Sequence, residues 1–150
     1  MLNITDTSLK ELPDLSSLIN LEYLICEKNK LIVLPDLSKC TKLLSLNCSY
    51  NKLKELPDLS KCVNLEYLIC VENKLLELPN LSECKNLFYL DCKENQIKNL
   101  YVSIIQCKDL EEYIKYNNYY NLEELNNLLN CKIKYYYYSS IMKYYNKCYL

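Results

Sequence analysis

The chain has 150 residues but no glycine, histidine, tryptophan, alanine or arginine. Without glycine it has neither a G-x-G-x-x-G loop nor a P-loop to hold phosphate, and without histidine it lacks the usual base for a serine or cysteine nucleophile. All 18 cations are lysines, and they are spread among 19 carboxylates. The chain therefore lacks the arginine-containing basic stripe that is typical of nucleic-acid binding. These absences predict no catalytic residues, no cofactor and no nucleic-acid partner.

Long apolar runs are also missing. No stretch approaches the roughly 20 apolar residues of a membrane span. The N-terminal sequence MLNITDTSLKEL lacks the charged and apolar regions of a secretion signal. We therefore expect no membrane association and a cytoplasmic location.

What the chain does contain is a repeat of 22 residues. Four coils align without a gap: coil 1 (12–33), coil 2 (34–55), coil 3 (56–77) and coil 4 (78–99). Such a period is typical of a solenoid, in which stacked coils share one continuous core. The pattern predicts a solenoid over 1–118, with a partial coil at 1–11 and a degenerate coil at 100–118.

Each coil carries the pattern L-x-x-L-x-C-x-x-N-x-L. In coil 3 its members are Leu65, Leu68, Cys70, Asn73 and Leu75. Because side chains alternate along a strand, Leu68 and Cys70 are expected to point into the core and the residues between them to point outward.

This pattern resembles the leucine-rich repeat family, with cysteine at the third apolar position. Its flanking apolar positions are similar to those of the 22-residue class found in a phosphatase regulatory subunit and in internalins, and its composition is similar to that of leucine-rich repeat proteins of large DNA viruses of protists. The resemblance implies an α/β solenoid arc with a parallel β-sheet on the concave face and a 3₁₀ or irregular convex side. It also implies a non-catalytic module that binds a protein or peptide partner through the concave sheet.

The outward strand positions form the predicted partner-binding surface. They are Tyr23, Ile25 and Glu27 in coil 1, Ser45, Asn47 and Ser49 in coil 2, Tyr67, Ile69 and Val71 in coil 3, and Tyr89, Asp91 and Lys93 in coil 4. The small polar side chains of coil 2 predict a shallow notch with aromatic walls, and tyrosine suits interfaces. The alternative is an inert surface whose Tyr, Ile and Val are simply good strand formers.

Asparagine and cysteine recur at inward positions. Asn29, Asn51, Asn73 and Asn95 follow the strands and predict a structural ladder that satisfies backbone groups of the turn. Cys26, Cys48, Cys70 and Cys92 form one cysteine ladder, and Cys40, Cys62 and Cys84 form another. Coil 1 has Leu18 at the position of the second cysteine ladder, so this position accepts an apolar side chain. We therefore expect reduced thiols packed as apolar side chains and no metal site. A thiol or metal-binding protein remains a less favoured alternative.

Both ends of the repeat array differ from its middle. The partial coil at 1–11 leaves a sheet edge open, which predicts self-association through that edge or a longer parent protein. In the degenerate coil, Leu110, Tyr113 and Asn118 continue the pattern after one inserted residue.

The Tyr-rich segment 119–150 is predicted to be a helical C-terminal cap, because Asn121 and Glu124 resemble a capping box before leucines at helical spacing. A structural, self-assembling protein that uses the open edge and this tail is the main alternative function.

Overall fold

The computed structural model describes residues 1–87, 89–97 and 114–115. Its six strands form one parallel sheet in chain order. They are β1 (Leu2–Asn3), β2 (Tyr23–Ile25), β3 (Ser45–Asn47), β4 (Tyr67–Ile69), β5 (Tyr89–Asp91) and β6 (Ile114–Lys115). From β1 to β5 each residue pairs with the equivalent residue of the next coil, as Leu24 does with Leu46. Paired residues in neighbouring strands are therefore 22 positions apart, so the repeat period sets the register of the sheet.

The last strand departs from that register. Leu90 pairs with Ile114 and Asp91 with Lys115, so the offset is 24 residues rather than 22. The prediction of a single inserted residue is wrong by one position, because two residues are added before β6. The predicted C-terminal helical cap and the rest of the degenerate coil lie outside the described residues.

The inward leucines and cysteines form one continuous core along the stack. Leu24, Leu46, Leu68 and Leu90 are all fully buried. Burying such a side chain stabilises a fold by about 1.5–3 kcal/mol. Leu2 and Ile4 pack against the same core, so the partial coil shares it.

The side opposite the sheet consists of tight turns, and the described part of the chain contains no regular helix. In coil 1, the Leu18 amide donates to the Leu15 carbonyl and the Leu21 amide to the Leu18 carbonyl, both at 2.9 Å. Equivalent bonds recur in coils 2 to 4. A three-residue spacing is that of a 3₁₀ turn, so the predicted 3₁₀ or irregular convex side is confirmed.

An acidic or amide side chain begins each convex segment. Asp14 accepts hydrogen bonds from the Ser16 amide at 2.8 Å and from the Ser16 hydroxyl at 2.7 Å. Coils 2 and 3 repeat both bonds, and Asn80 accepts the amide bond in coil 4. The Ser16 bonds lower the pKa of Asp14, since they favour the carboxylate. This short-range bond stabilises the turn that follows each proline.

A left-handed residue ends each strand segment, although the chain has no glycine. In coils 1 to 4 these residues are Lys28, Tyr50, Glu72 and Glu94, with φ between 50° and 56°. The conformation costs a non-glycine residue about 1 kcal/mol, so the stack must impose it. It turns the chain so that the next residue, an asparagine, faces inward.

Candidate functional site

The outward strand positions lie on the face of the sheet opposite the core. Tyr23 and Ile25 form a cluster of their own, separate from the main core, and Leu44, Tyr67 and Ile69 pack against it. Four of the side chains that the sequence assigned to the concave face therefore lie on one surface: Tyr23, Ile25, Tyr67 and Ile69. We call this surface the concave face.

The part of the concave face built by β2 and β3 is closed. Tyr23 is 7% exposed, Ile25 and Ser45 are 0% exposed, and Asn47 and Ser49 are also buried. Tyr67 contacts the cluster from coil 3, across the small residues of coil 2. The shallow notch expected over coil 2 is thus absent, because the larger side chains that were to form its walls pack together.

Polar contacts link the buried Asn47 and Ser49 of coil 2 to half-buried outward residues of coils 1 and 3. The side-chain amide of Asn47 donates from Nδ2 to a Glu27 carboxylate oxygen at 2.7 Å, and the backbone amide of Ser49 donates to Asn47 Oδ1 at 3.2 Å. The Ser49 hydroxyl oxygen accepts from the Val71 amide at 3.1 Å. These bonds satisfy polar groups that would otherwise be costly to bury, so Asn47 and Ser49 hold coils together.

The part built by β4 and β5 is more open. Tyr67, Ile69, Val71, Tyr89 and Lys93 are all half-buried. The rings of Tyr67 and Tyr89 lie with centroids 6.1 Å apart and tilted by 45°, a favourable arrangement for an aromatic pair. These side chains offer an aromatic and aliphatic surface that retains access to solvent.

One predicted surface residue in this part is buried. Asp91 is 5% exposed, and its carboxylate lies 3.9 Å from the Lys93 ammonium. The Lys93 amide also donates to Asp91 Oδ1 at 3.4 Å. Asp91 therefore orients Lys93 at the end of β5.

Sequence reasoning missed two repeat positions at the margins of this face. Leu44 directly precedes β3 and packs on the concave cluster, so Glu22 and Glu66, which hold the same position in coils 1 and 3, lie at that margin. Tyr50 ends the strand segment of coil 2 at the other margin, with φ 56° and 44% of its surface exposed. Periodic alignment could have found Tyr50, because the equivalent residues in the other coils are charged.

The asparagine ladder joins each coil to the one before it. Asn51 Nδ2 lies 2.9 Å from the Cys26 carbonyl, 3.0 Å from the Cys48 carbonyl and 3.1 Å from the Ser49 carbonyl, while its Oδ1 accepts from the Leu31 amide at 3.0 Å. Asn29, Asn73 and Asn95 make equivalent contacts, and all four are buried. Their polar atoms are therefore engaged in holding the turns together.

The cysteines within residues 1–97 are free, buried and part of the core, as the sequence predicted. The Cys26 thiol lies 3.6 Å from the Asn47 carbonyl of the following coil, whereas the Cys62 thiol lies 3.7 Å from the Leu37 carbonyl of the preceding one. Burial raises the pKa of both thiols to about 12. A protonated thiol is a poor nucleophile and metal ligand, so this environment suits packing.

The N-terminal edge bears a shallow depression of about 380 Å³, lined by Met1, Leu2 and 17–21. Met1 and Ile19 are well exposed there. Thr7 stands where later coils have asparagine, and its hydroxyl donates to Asn29 Oδ1 at 2.8 Å. Self-association through this edge stays a prediction.

Two wider features of the described residues bear on function. They include no helix long and apolar enough to cross a membrane. Nor do they include a group of three or more Cys, Asp or Glu side chains that could hold a metal ion.

Comparison with solved structures finds the same fold in several bacterial proteins. A leucine-rich repeat protein of Leptospira interrogans superposes with a TM-score of 0.72 at 30% identity, covering 77% of this chain and 31% of that one. The functional domain of InlJ from Listeria monocytogenes, which includes a cysteine ladder, gives 0.60 at 29% identity over 68% of this chain and 22% of that one. The leucine-rich effector YopM of Yersinia pestis gives 0.50 at 26% identity, over 75% and 35%.

The parallel sheet, the stacked coils and these neighbours place the chain in one class of solenoid. It is a leucine-rich repeat protein. The chain spans less than half the length of each of these three solved proteins. No protein-family model and no curated protein matches it.

Proposed function

We propose that this chain is a non-catalytic interaction module that binds a protein or peptide through the concave face, with the contact centred on β4 and β5. The observation that carries the proposal is the half-exposed surface formed by Tyr67, Ile69, Val71, Tyr89 and Lys93. The equivalent residues of coils 1 and 2 are mostly buried, so coils 3 and 4 supply the accessible part of the face.

The chemistry of this surface supports a binding role. Tyrosine and isoleucine bury a large area on contact, and tyrosine loses little rotamer entropy while keeping a polar tip. The Tyr67 and Tyr89 rings already support each other, which reduces the ordering cost on binding. The inward residues repeat almost unchanged from coil to coil, whereas the outward residues differ, so the fold leaves this face free to vary.

The test compares three purified chains as affinity baits in a lysate. They are the wild type, the variant Tyr67→Ser/Ile69→Ser, called the concave variant, and a control. The control, Ile32→Ser/Leu76→Ser, removes exposed apolar side chains outside the sheet. We expect a protein that the wild type and the control retain but the concave variant loses. Its purified form should then bind the wild type at least about tenfold more tightly than the concave variant.

Equal retention by all three chains would contradict the proposal, provided that circular dichroism shows the concave variant to be folded. Self-association through the N-terminal edge is the alternative, and a wild-type mass that rises with concentration would favour it. A cytoplasmic location also stays a prediction, and the free buried thiols are compatible with it.

A further inference from the structure

The open part of the concave face is bordered by acidic side chains. Glu66 directly precedes β4 and is half-buried, and Glu72 ends the same strand segment and is exposed. The position of Glu66 faces the concave surface, since Leu44 packs there from the equivalent position of coil 2. The apolar stretch Tyr67 to Val71 thus lies between two carboxylates.

The neighbouring coil adds to this negative charge. Glu94 ends the β5 segment in the position equivalent to Glu72 and is exposed. Asp91 and Lys93 form an ion pair, so these two charges largely offset each other. Lys74 is the nearest further cation in sequence; it is exposed and lies two residues after Glu72, so it offsets the charge of one of the three glutamates. Glu66, Glu72 and Glu94 therefore leave this part of the face with an excess of negative charge.

From this arrangement we infer that the partner bound by the concave face is a basic segment, in which lysine or arginine residues flank apolar or aromatic ones. The inference rests on the proposed function and specifies its partner. Opposite charge at the margin of an apolar contact steers encounter and suppresses wrong partners, because like charges placed together are costly. An acidic segment would meet Glu66 and Glu72 at both ends of the apolar surface.

The reach of the surface limits the spacing of the basic residues. Glu66 and Glu72 are six residues apart, which in a fully extended strand is at most about 20 Å. An extended peptide lying along β4 would cover that distance with about six residues of its own. The partner segment therefore carries its cations on both sides of a short apolar core rather than in one run.

The experiment selects short peptides from a random displayed library against the wild-type chain. The selected peptides are synthesised and titrated into the wild type, Glu66→Gln/Glu72→Gln, and the control Glu55→Gln/Glu77→Gln. The control removes the same charge from exposed positions at the ends of coils 2 and 3, outside the sheet. Tyr67→Ser/Ile69→Ser serves as the fourth chain.

We expect the selected peptides to be rich in lysine or arginine beside apolar residues. Their affinity should fall about tenfold in Glu66→Gln/Glu72→Gln and less than about twofold in the control. Raising the salt concentration should weaken wild-type binding, since Glu72 is exposed to solvent and Glu66 is only half-buried.

Selection of neutral or acidic peptides, selection of no basic peptide at all, or equal losses in the two glutamine variants would overturn the inference. If binding depends on Tyr67 and Ile69 but not on the carboxylates, the proposed function stands and only the basic partner is wrong. If basic peptides bind equally to the Tyr67→Ser/Ile69→Ser variant, the proposed function itself fails.

Discussion

Coils 1 and 3 contain the same heptapeptide, NLEYLIC, at 20–26 and 64–70. Both copies form a three-residue parallel strand with the same register to their neighbours, and Leu24 and Leu68 are equally buried in the core. Their outward residues differ, because Tyr23 and Ile25 are buried while Tyr67 and Ile69 are half-buried. Identical sequence therefore produces identical local structure, but accessibility depends on the surroundings of each copy.

The surroundings of the two copies can be named. β2 lies between the partial coil and the small residues of coil 2, and Leu44, Tyr67 and Ile69 pack on its outward pair. β4 lies between β3 and β5. Its Tyr67 ring forms a tilted pair with Tyr89 of coil 4, and both residues retain access to solvent. The first copy thus contributes to stability and the second is available for contact.

The largest expected effect separates the outward isoleucines of the two copies. Ile25→Ala should destabilise the fold by about 3 kcal/mol, because its side chain is fully buried, whereas Ile69→Ala should cost about 1 kcal/mol. Urea unfolding measures both losses. The core pair Leu24→Ala and Leu68→Ala is the control and should show equal losses of about 3 kcal/mol. Equal losses at the two isoleucines would remove the distinction between the copies.

A smaller effect concerns the thiol that ends the first copy. Burial, assisted by the Glu27 charge, raises the pKa of Cys26 from the ordinary thiol value of 9.0 to about 12. Between those values the unfolded state has lost the proton and the folded state retains it, so stability is full below pH 9 and falls as the pH rises. The loss for one thiol is about 1.4 kcal/mol per pH unit.

The matching measurement is urea unfolding of the wild type and Cys26→Ala across alkaline pH in reducing buffer. As the pH rises, the free energy of unfolding should fall less steeply in the alanine variant than in the wild type, by about 1.4 kcal/mol per pH unit. The comparison is between slopes, so it does not depend on the stability of the variant at neutral pH. Cys70→Ala should show the same reduction, since burial also raises the pKa of that thiol. Parallel pH profiles for all three chains would show that these thiols are not protected in the folded state.

The smallest expected effect is one in which the two copies should agree. Lys28 and Glu72 are left-handed, with φ of 55° and 50°. Lys28→Gly and Glu72→Gly should each stabilise the fold by about 0.5 kcal/mol, because removal of Cβ strain outweighs the greater freedom of glycine in the unfolded chain. The shift in urea midpoint measures the gain.

Lys30→Gly is the control for that prediction, because this exposed residue follows the turn and does not have positive φ. It should be neutral or slightly destabilising. A gain in coil 1 without one in coil 3 would mean that the turn is not equivalent in the two copies.

Much of the fold could be predicted because it depends on residues that recur. The spacing of Leu65, Leu68 and Cys70 indicated strand position and inward direction, and the contacts of Asn51 follow from an amide that faces a turn with unpaired backbone groups. The absence of helix signals on the convex side was also informative. The register of β6 could not be obtained in the same way, because one degenerate coil offers several alignments and the sheet selects among them.

The candidate surface was predicted only in part. Alternation identified the outward residues, yet it assigned equal exposure to Tyr23 and Tyr67 and a notch to Ser45, which is fully buried. It also passed over Leu44 and Tyr50, since both lie just outside the strand pattern. Exposure involves contacts between coils, and a single coil carries no information about them.

By itself, the sequence determined the repeat, the parallel strands and the inward leucine, cysteine and asparagine positions, because each coil must present the same groups to its neighbours in order to stack. The tertiary structure alone decided which outward residues remain accessible, because two copies of one heptapeptide lie beside different neighbours. It therefore decided that the open part of the concave face is formed by coils 3 and 4.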